Sequence, residues 1–253
     1  MAISFDNKTV LVIGGSTGIG LACVQQLAER GARVIGTCRD PEKAILLSAQ
    51  LRDQGHDVAF EAVDIADERS IDDLFQRLHA QYLELHGAVN NAGMTQDAFH
   101  VADTPREVVD ELIAVNLKGT FLAMQHEIRW MQAQGAGAIV NVASIAGLRG
   151  VKNLAMYSAT KHAVIGMTKV AAQDTAADGI RINATCPGTT RTEMMARQMQ
   201  TRQGGEQATL ETIPMRRASS PDEQARAIIW LLSDDASYVT GETITVDGGR
   251  TID

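Results

Sequence analysis

Short apolar, β-branched runs alternate with longer helical stretches along most of this chain. That alternation limits the possible folds more than any other feature. The runs are Thr9 to Ile13, Arg33 to Thr37, Val58 to Val63, Gly87 to Asn90, Ala138 to Ala143 and Ile180 to Thr185. Such runs suit strands buried on both faces of a parallel sheet. Between them lie Ile19 to Arg30, Pro41 to Gln54, Glu68 to Tyr82, Pro105 to Met131 and Leu154 to Ala177, which carry apolar residues at helical spacing. In the first of these, Ile19, Ala22, Cys23, Leu27 and Ala28 share one stripe. Pro41 and Pro105 stand where a first-turn proline is tolerated. The alternation predicts a single α/β domain over residues 1–253, with a doubly wound parallel sheet, helices on both faces and right-handed crossovers.

The connection after the first strand narrows this further. Gly14-Gly15-Ser16-Thr17-Gly18-Ile19-Gly20 leads directly into a helix. Glycines there let the backbone turn tightly and approach a pyrophosphate, and the helix N-terminus offers free N–H groups to the phosphates. The expectation is a Rossmann-type dinucleotide site that includes Gly14, Ser16, Thr17, Gly18, Ile19 and Gly20. At the tip of the second strand, Cys38-Arg39-Asp40 sets the cofactor choice. An acid there would bind the ribose hydroxyl of NAD, and a base would accept the 2′-phosphate of NADP. Arg39 occupies the tip and Asp40 belongs to the helix start before Pro41, so NADP is favoured over NAD. Asp64-Ile65 ends the third strand, where a carboxylate can accept from an adenine amino group; helix capping through the run from Asp67 to Ser70 is the competing use.

Tyr157 and Lys161 stand four residues apart in Met156-Tyr157-Ser158-Ala159-Thr160-Lys161-His162. On a helix they share one face. A phenol titrates near ~10 in water, and a cation within roughly 4–6 Å favours its ionised form. The pair therefore reads as a tuned proton donor and acceptor, the partner that a hydride transfer at a carbonyl requires. Ser144, at the end of the fifth strand, would polarise the carbonyl oxygen.

The bulk properties set outer bounds. The 253 residues carry a net charge of -8, with 45% hydrophobic and 21% charged residues. No basic excess exists to displace counterions from nucleic acid, so none is expected as a partner. Cys23, Cys38 and Cys186 lie far apart with no metal spacing, which suggests a reducing compartment and no bound metal. The N-terminus has no signal-peptide pattern and no run of ~18 apolar residues exists, so a cytoplasmic protein without a membrane span is expected. Thr189 to Ser220, with Met194, Met195, Met199, the polar run Gln200 to Gln207 and Pro214, is expected to form a substrate lid.

Taken together these residues resemble the short-chain dehydrogenase/reductase family over essentially the whole chain. Asn90-Asn91-Ala92-Gly93 matches its asparagine–alanine–glycine motif, and Asn116 its helix asparagine. Ser144, Tyr157 and Lys161 complete the catalytic tetrad, Pro187-Gly188 with Thr192 matches the nicotinamide-flanking loop, and Val246-Asp247-Gly248-Gly249 the C-terminal signature. Ile13 departs from the threonine that is common before the glycines. The resemblance implies that Asn91, Ala92, Gly93, Pro187, Gly188 and Thr192 contact the cofactor. It also implies that Lys161 holds the nicotinamide ribose and that Asn116 positions a water leading from Lys161 to solvent. Family geometry places Met94, Leu148 and Met195 beside Ser144 around a substrate with apolar character. The implied activity is NADP-dependent interconversion of ketones and secondary alcohols. Alternatives are a 3-oxoacyl-thioester reductase and an NAD-dependent cyclic-alcohol or sugar dehydrogenase. An enoyl reductase would space tyrosine and lysine further apart, a halohydrin dehalogenase would carry arginine for Lys161, and a cofactor sensor would lack one of the pair. Members of this length are usually homotetramers joined through the Pro105–Met131 and Leu154–Ala177 helices.

Overall fold

The computed structural model describes residues 3–201 and 205–252. Seven parallel strands form one sheet in the order β3-β2-β1-β4-β5-β6-β7. They are β1 (Thr9–Ile13), β2 (Arg33–Cys38), β3 (Val58–Ala62), β4 (Gly87–Asn90), β5 (Gly137–Val142), β6 (Ile180–Pro187) and β7 (Thr243–Val246). Strand order reverses between β1 and β4, and the C-terminal strand ends on either side of that point open a crevice where ligands bind in sheets of this kind.

Side-chain alternation along β1 explains the two covered faces. Val10 and Val12 point into a cluster with Val24 and Leu27 of α1 (Gly18–Glu29), Leu51 of α2 (Pro41–Asp53) and Ile228 of α9 (Pro221–Leu232). Leu11 and Ile13 point the other way, toward Leu74 and Phe75 of α3 (Glu68–Gln81) and Met124 of α5 (Thr120–Gln134). Both β1 faces are therefore dry, as its unbroken apolar run requires. Among the described residues no helix is long and apolar enough to cross a membrane.

Three expectations need correcting. The helix expected over 105–131 is three segments: α4 (Arg106–Leu112), a π-helical stretch (Ile113–Gly119) and α5. Gly119 packs so tightly on Ile65 that a Cβ there would lie 2.2 Å from the Ile65 carbonyl oxygen. The widened turn also buries Asn116 completely. Second, β6 runs on to Pro187, which sits at the strand end in register with Val246 and so costs little ladder bonding. Third, β7 and α9 were not foreseen. β7 is an edge strand with no fully buried residue, so it lacks the buried apolar run that marks the inner strands. The α9 start was readable, because Ser220 and Glu223 form a reciprocal capping box around Pro221.

A polar network lies under the sheet. Asn90 Nδ2 donates to Glu127 Oε2 and to Asn141 Oδ1, each at 2.9 Å, and Asn141 Nδ2 donates to Thr168 Oγ1 at 2.9 Å. Thr168 belongs to α6 (Ala155–Thr175), so the network ties β4 and β5 to α5 and α6. Burial pushes the Glu127 carboxyl up to about 8, against a smaller opposing effect of its bond from Asn90.

Candidate active site

The glycine turn is held from three sides. Gly14, at φ 77°, donates from its N–H to Thr37 Oγ1 at 3.0 Å and accepts from Asn91 Nδ2 at 2.9 Å. A Cβ on Gly20 would fall 2.1 Å from the Gly14 carbonyl oxygen, and one on Gly14 would fall 2.7 Å from Ala92. Ser16 and Thr17 are half-buried at the rim, and Thr17 precedes α1 without any side-chain cap on its first N–H groups. A helix start without a side-chain cap beside a glycine-rich turn fits a pyrophosphate. On the far side, Thr192 covers Gly18, whose added Cβ would lie 3.0 Å from Thr192 Cγ2.

At the adenine end the sequence expectations separate. Arg39 is exposed and makes no side-chain hydrogen bond or ion pair within the described chain. Asp40 is used locally, accepting from the N–H groups of Glu42 at 2.9 Å and Lys43 at 3.2 Å to cap α2. The strand tip therefore presents a free cation and a committed acid. Asp67 caps α3, while Asp64 Oδ1 accepts from Ala66 N at 3.0 Å and stays exposed. Ile65 is buried against the π-helical stretch.

The reactive side chains meet at the C-terminal end of β5. Ser144 begins a short turn (Ile145–Gly147), and its Oγ accepts from Ala146 N at 3.1 Å. Tyr157 lies in the first turn of α6, where no cap residue serves the helix. Gln96, buried and not foreseen, supplies that role: its Oε1 accepts from Tyr157 N at 3.0 Å. Nothing in its local sequence marks it, because the contact spans 61 positions. Lys161 Nζ donates to the Val142 carbonyl at 2.9 Å and sits 5.9 Å from the Tyr157 ring centroid.

The electrostatics correct one expectation. Tyr157 is raised above the ordinary phenol value, not lowered; burial dominates, and a hydrogen bond with Ser144 opposes it. Lys161 is brought down to about 8 by its own burial. An ammonium this desolvated, with one proton committed to Val142, does little to ionise the phenol. At neutral pH the site holds a protonated tyrosine.

Asn116 is also more constrained than expected. Its Oδ1 accepts from Met94 N at 2.8 Å, and its Nδ2 donates to Met94 O at 2.9 Å and Thr160 Oγ1 at 3.3 Å. Both amide hydrogens are thus used in stapling the segment after β4 to α6. Gly93 keeps the gap between Asn116 and Lys161 open: a Cβ there would meet Asn116 Oδ1 at 3.3 Å and Lys161 Nζ at 3.4 Å.

Ser144, Tyr157, Lys161 and Gly93 line a cleft of about 420 Å³ that also receives Ile19, Pro187, Gly188 and Thr192 from the dinucleotide side. A Cβ on Gly188 would lie 2.7 Å from Asp247, so the loop after β6 and the C-terminal signature touch. Met94 and Met195 face the cleft as expected. Leu148 does not; it is 42% exposed, and Arg149 takes the place in the lining. The segment over 189–220 leaves and rejoins the sheet at one point. Ser219 N donates to Thr189 O at 3.0 Å, Arg191 N to Ser219 O at 2.9 Å, and the Thr190 and Ser219 hydroxyls pair at 2.9 Å. It carries α7 (Glu193–Thr201) and α8 (Gly205–Glu211); residues 202–204, within the expected polar run, lie outside the described residues.

Known proteins share this arrangement. A family model described as Enoyl-(Acyl carrier protein) reductase matches residues 14–251. The 2,5-dichloro-2,5-cyclohexadiene-1,4-diol dehydrogenase of Sphingobium indicum is 40% identical over 248 residues, 97% of this chain and 98% of that one. Cyclohexanol dehydrogenase from an Acinetobacter species is 35% identical over 99% of this chain and 98% of its own. A gluconate 5-dehydrogenase of Burkholderia cenocepacia, solved with NADP and tartrate, superposes with a TM-score of 0.94 at 31% identity, covering 99% of this chain and 97% of that one.

Proposed function

Since this chain belongs to the short-chain dehydrogenase/reductase family, we propose that it is an NADP-dependent oxidoreductase interconverting ring ketones and secondary alcohols. The observation that carries this reading is the convergence of Ser144, Tyr157 and Lys161 on a cleft continuous with the glycine turn. Relatives named for cyclohexanol and cyclohexadiene-diol oxidation support the ring alcohol, and a neighbour solved with NADP supports the cofactor.

The residues divide the work. The uncapped start of α1 and the glycine turn hold the pyrophosphate, and Arg39 takes the 2′-phosphate. Asn91, Ala92, Gly93, Pro187, Gly188 and Thr192 fix the nicotinamide end, with Asp64 and Ile65 at the adenine. Bound NADP(H) supplies or accepts the hydride. Ser144 donates a hydrogen bond to the substrate oxygen, and Tyr157 delivers the proton there in reduction. A raised phenol pKa keeps that proton in place at neutral pH, which suits reduction; oxidation needs the phenolate. Lys161 holds the ribose and, near its own titration point, can refill Tyr157. Asn116 acts by positioning: it fixes Met94 and α6. The segment over 189–220 serves as the lid, hinged at its Thr190–Ser219 anchor.

The matching family model is described by an enoyl reductase activity, but three residues separate Tyr157 from Lys161, the spacing of carbonyl chemistry. The three free cysteines fit a reducing, cytoplasmic setting. Exposed Phe121 of α5 and Val170 of α6 fit a homotetramer built on those helices. Steady-state rates with NADPH and NADH across cyclic ketones and 3-oxoacyl thioesters test the reading. It expects turnover of the ketones with NADPH; exclusive use of thioesters, or no turnover with any carbonyl, would overturn it.

A further inference from the structure

Arg149 is anomalous among the half-buried arginines. Arg30 donates to the Gln26 carbonyl, Arg181 to the carbonyls of Leu231, Leu232 and Ser233, and Arg250 to Thr189 Oγ1. Arg149 is half-buried as a residue, lines the catalytic cleft, and its guanidinium donates to nothing among the described residues. A guanidinium at a cleft wall with its donors unspent is available to an anion that enters the cleft.

Among the described residues the cleft lining carries cations and no carboxylate. Lys152 and Arg250 line the same cleft, and no Asp or Glu does among the described residues, although the chain carries a net charge of -8. The loop bearing Arg149 and Lys152 is pinned. Arg149 N donates to Ile145 O at 3.2 Å, Leu154 N to Val151 O at 3.1 Å, and Phe99 N to Asn153 O at 3.1 Å, with Asn153 held at φ 66°. This loop joins Ser144 to Tyr157, so the Arg149 backbone is fixed in the segment that carries the reacting groups. Met194, Met195 and Met199 add apolar surface to the lining, beside the polar Thr192 and Gln198.

We propose that the physiological substrate is a ring ketone or alcohol bearing a carboxylate remote from the reacting carbon, and that Arg149 binds this carboxylate, assisted by Lys152. The proposal rests on the carbonyl chemistry above and names its substrate class. A planar guanidinium suits a carboxylate because it can donate two parallel hydrogen bonds. The methionine surface accepts the ring, and the volume shared with the nicotinamide leaves space for a small one.

The test compares 4-oxocyclohexanecarboxylate with its methyl ester, using wild type, Arg149→Gln and Arg149→Lys, with acetoacetyl-CoA as a third substrate. Binding of cyclohexanecarboxylate to the enzyme–NADPH complex is read separately by NADPH fluorescence. Wild type should prefer the acid over the ester in kcat/KM. Arg149→Gln should cut that preference by roughly 10–100-fold, mainly through KM, as loss of a charge-assisted hydrogen bond does. Arg149→Lys should recover part of it. Equal use of acid and ester, or an unchanged ratio in Arg149→Gln, overturns the proposal while leaving the carbonyl reading intact. Preference for acetoacetyl-CoA lost in Arg149→Gln overturns it in favour of a thioester's phosphates. Arg149-dependent binding of cyclohexanecarboxylate without turnover of any ketone supports the anion site and rejects the carbonyl reading instead.

Discussion

At the scale of single residues, the site separates groups that react from groups that hold them. Arg39 is free at the β2 tip while Asp40 is consumed by its helix cap. Arg39→Ala should therefore lower kcat/KM with NADPH by about 10–100-fold, the worth of a charge-assisted contact, and leave NADH rates nearly unchanged. Parallel kinetics with both cofactors check it, and equal losses would reject the phosphate role. Tyr157 gives a second prediction. Its phenol is raised by burial, so it stays protonated at neutral pH. Ketone reduction should hold its rate near pH 7, and alcohol oxidation should keep climbing with pH past the ordinary phenol value of ~10, because the phenolate is populated only beyond it. An oxidation rate already flat from pH 6 would mean an ionised phenol and contradict the order of causes found here.

At the scale of elements, the glycine turn depends on close contact. Gly20→Ala places a methyl group 2.1 Å from the Gly14 carbonyl oxygen, so α1 must shift. NADPH affinity, measured by fluorescence titration, should fall at least about tenfold, as expected when phosphate-binding N–H groups move out of line. The elements also differ in how well their sequence announces them. β1, β2, β4 and the helices α1 and α2 were legible because burial of these strands on both faces leaves an unbroken apolar run. β7 is an edge strand with no fully buried residue and has no such signal. The π-helical stretch was illegible for another reason: it packs Gly119 closely on the Ile65 carbonyl, a contact distant in sequence. Tyr157, Lys161 and Ser144 were legible as chemistry at helical or strand-end spacing. Gln96 and Arg149 were not, since a cap reached across 61 positions and an arginine without a partner exist only after folding. Leu148 failed for the same reason, because one position along an irregular turn decides which side chain faces the cleft.

At the scale of the whole molecule, stability should carry the mark of Glu127. Its carboxyl titrates near 8 in the fold against an ordinary 4.5, because burial penalises the charge. The folded chain then keeps a proton that the unfolded chain releases across that window. Stability should fall as pH rises from about 4.5 to 8, by up to about 1.4 kcal/mol per pH unit, and level off above it. Glu127→Gln removes the titrating group, so thermal unfolding of the variant should show a flatter dependence on pH between 5.5 and 8. The same polar network joins the sheet to α5 and α6, the helices whose exposed Phe121 and Val170 are proposed to meet other copies. Sedimentation velocity should accordingly give a tetramer, and Phe121→Asp should weaken it. In the proposed reaction a hydride moves at carbon and Tyr157 moves a proton at oxygen. The most direct measurement is cyclohexanone-dependent oxidation of NADPH by Tyr157→Phe, alongside NADPH binding to the same protein. The predicted result is a loss of kcat of at least about 100-fold, as expected for a general acid, with cofactor affinity within a few-fold of wild type. A variant that keeps its kcat would contradict the account.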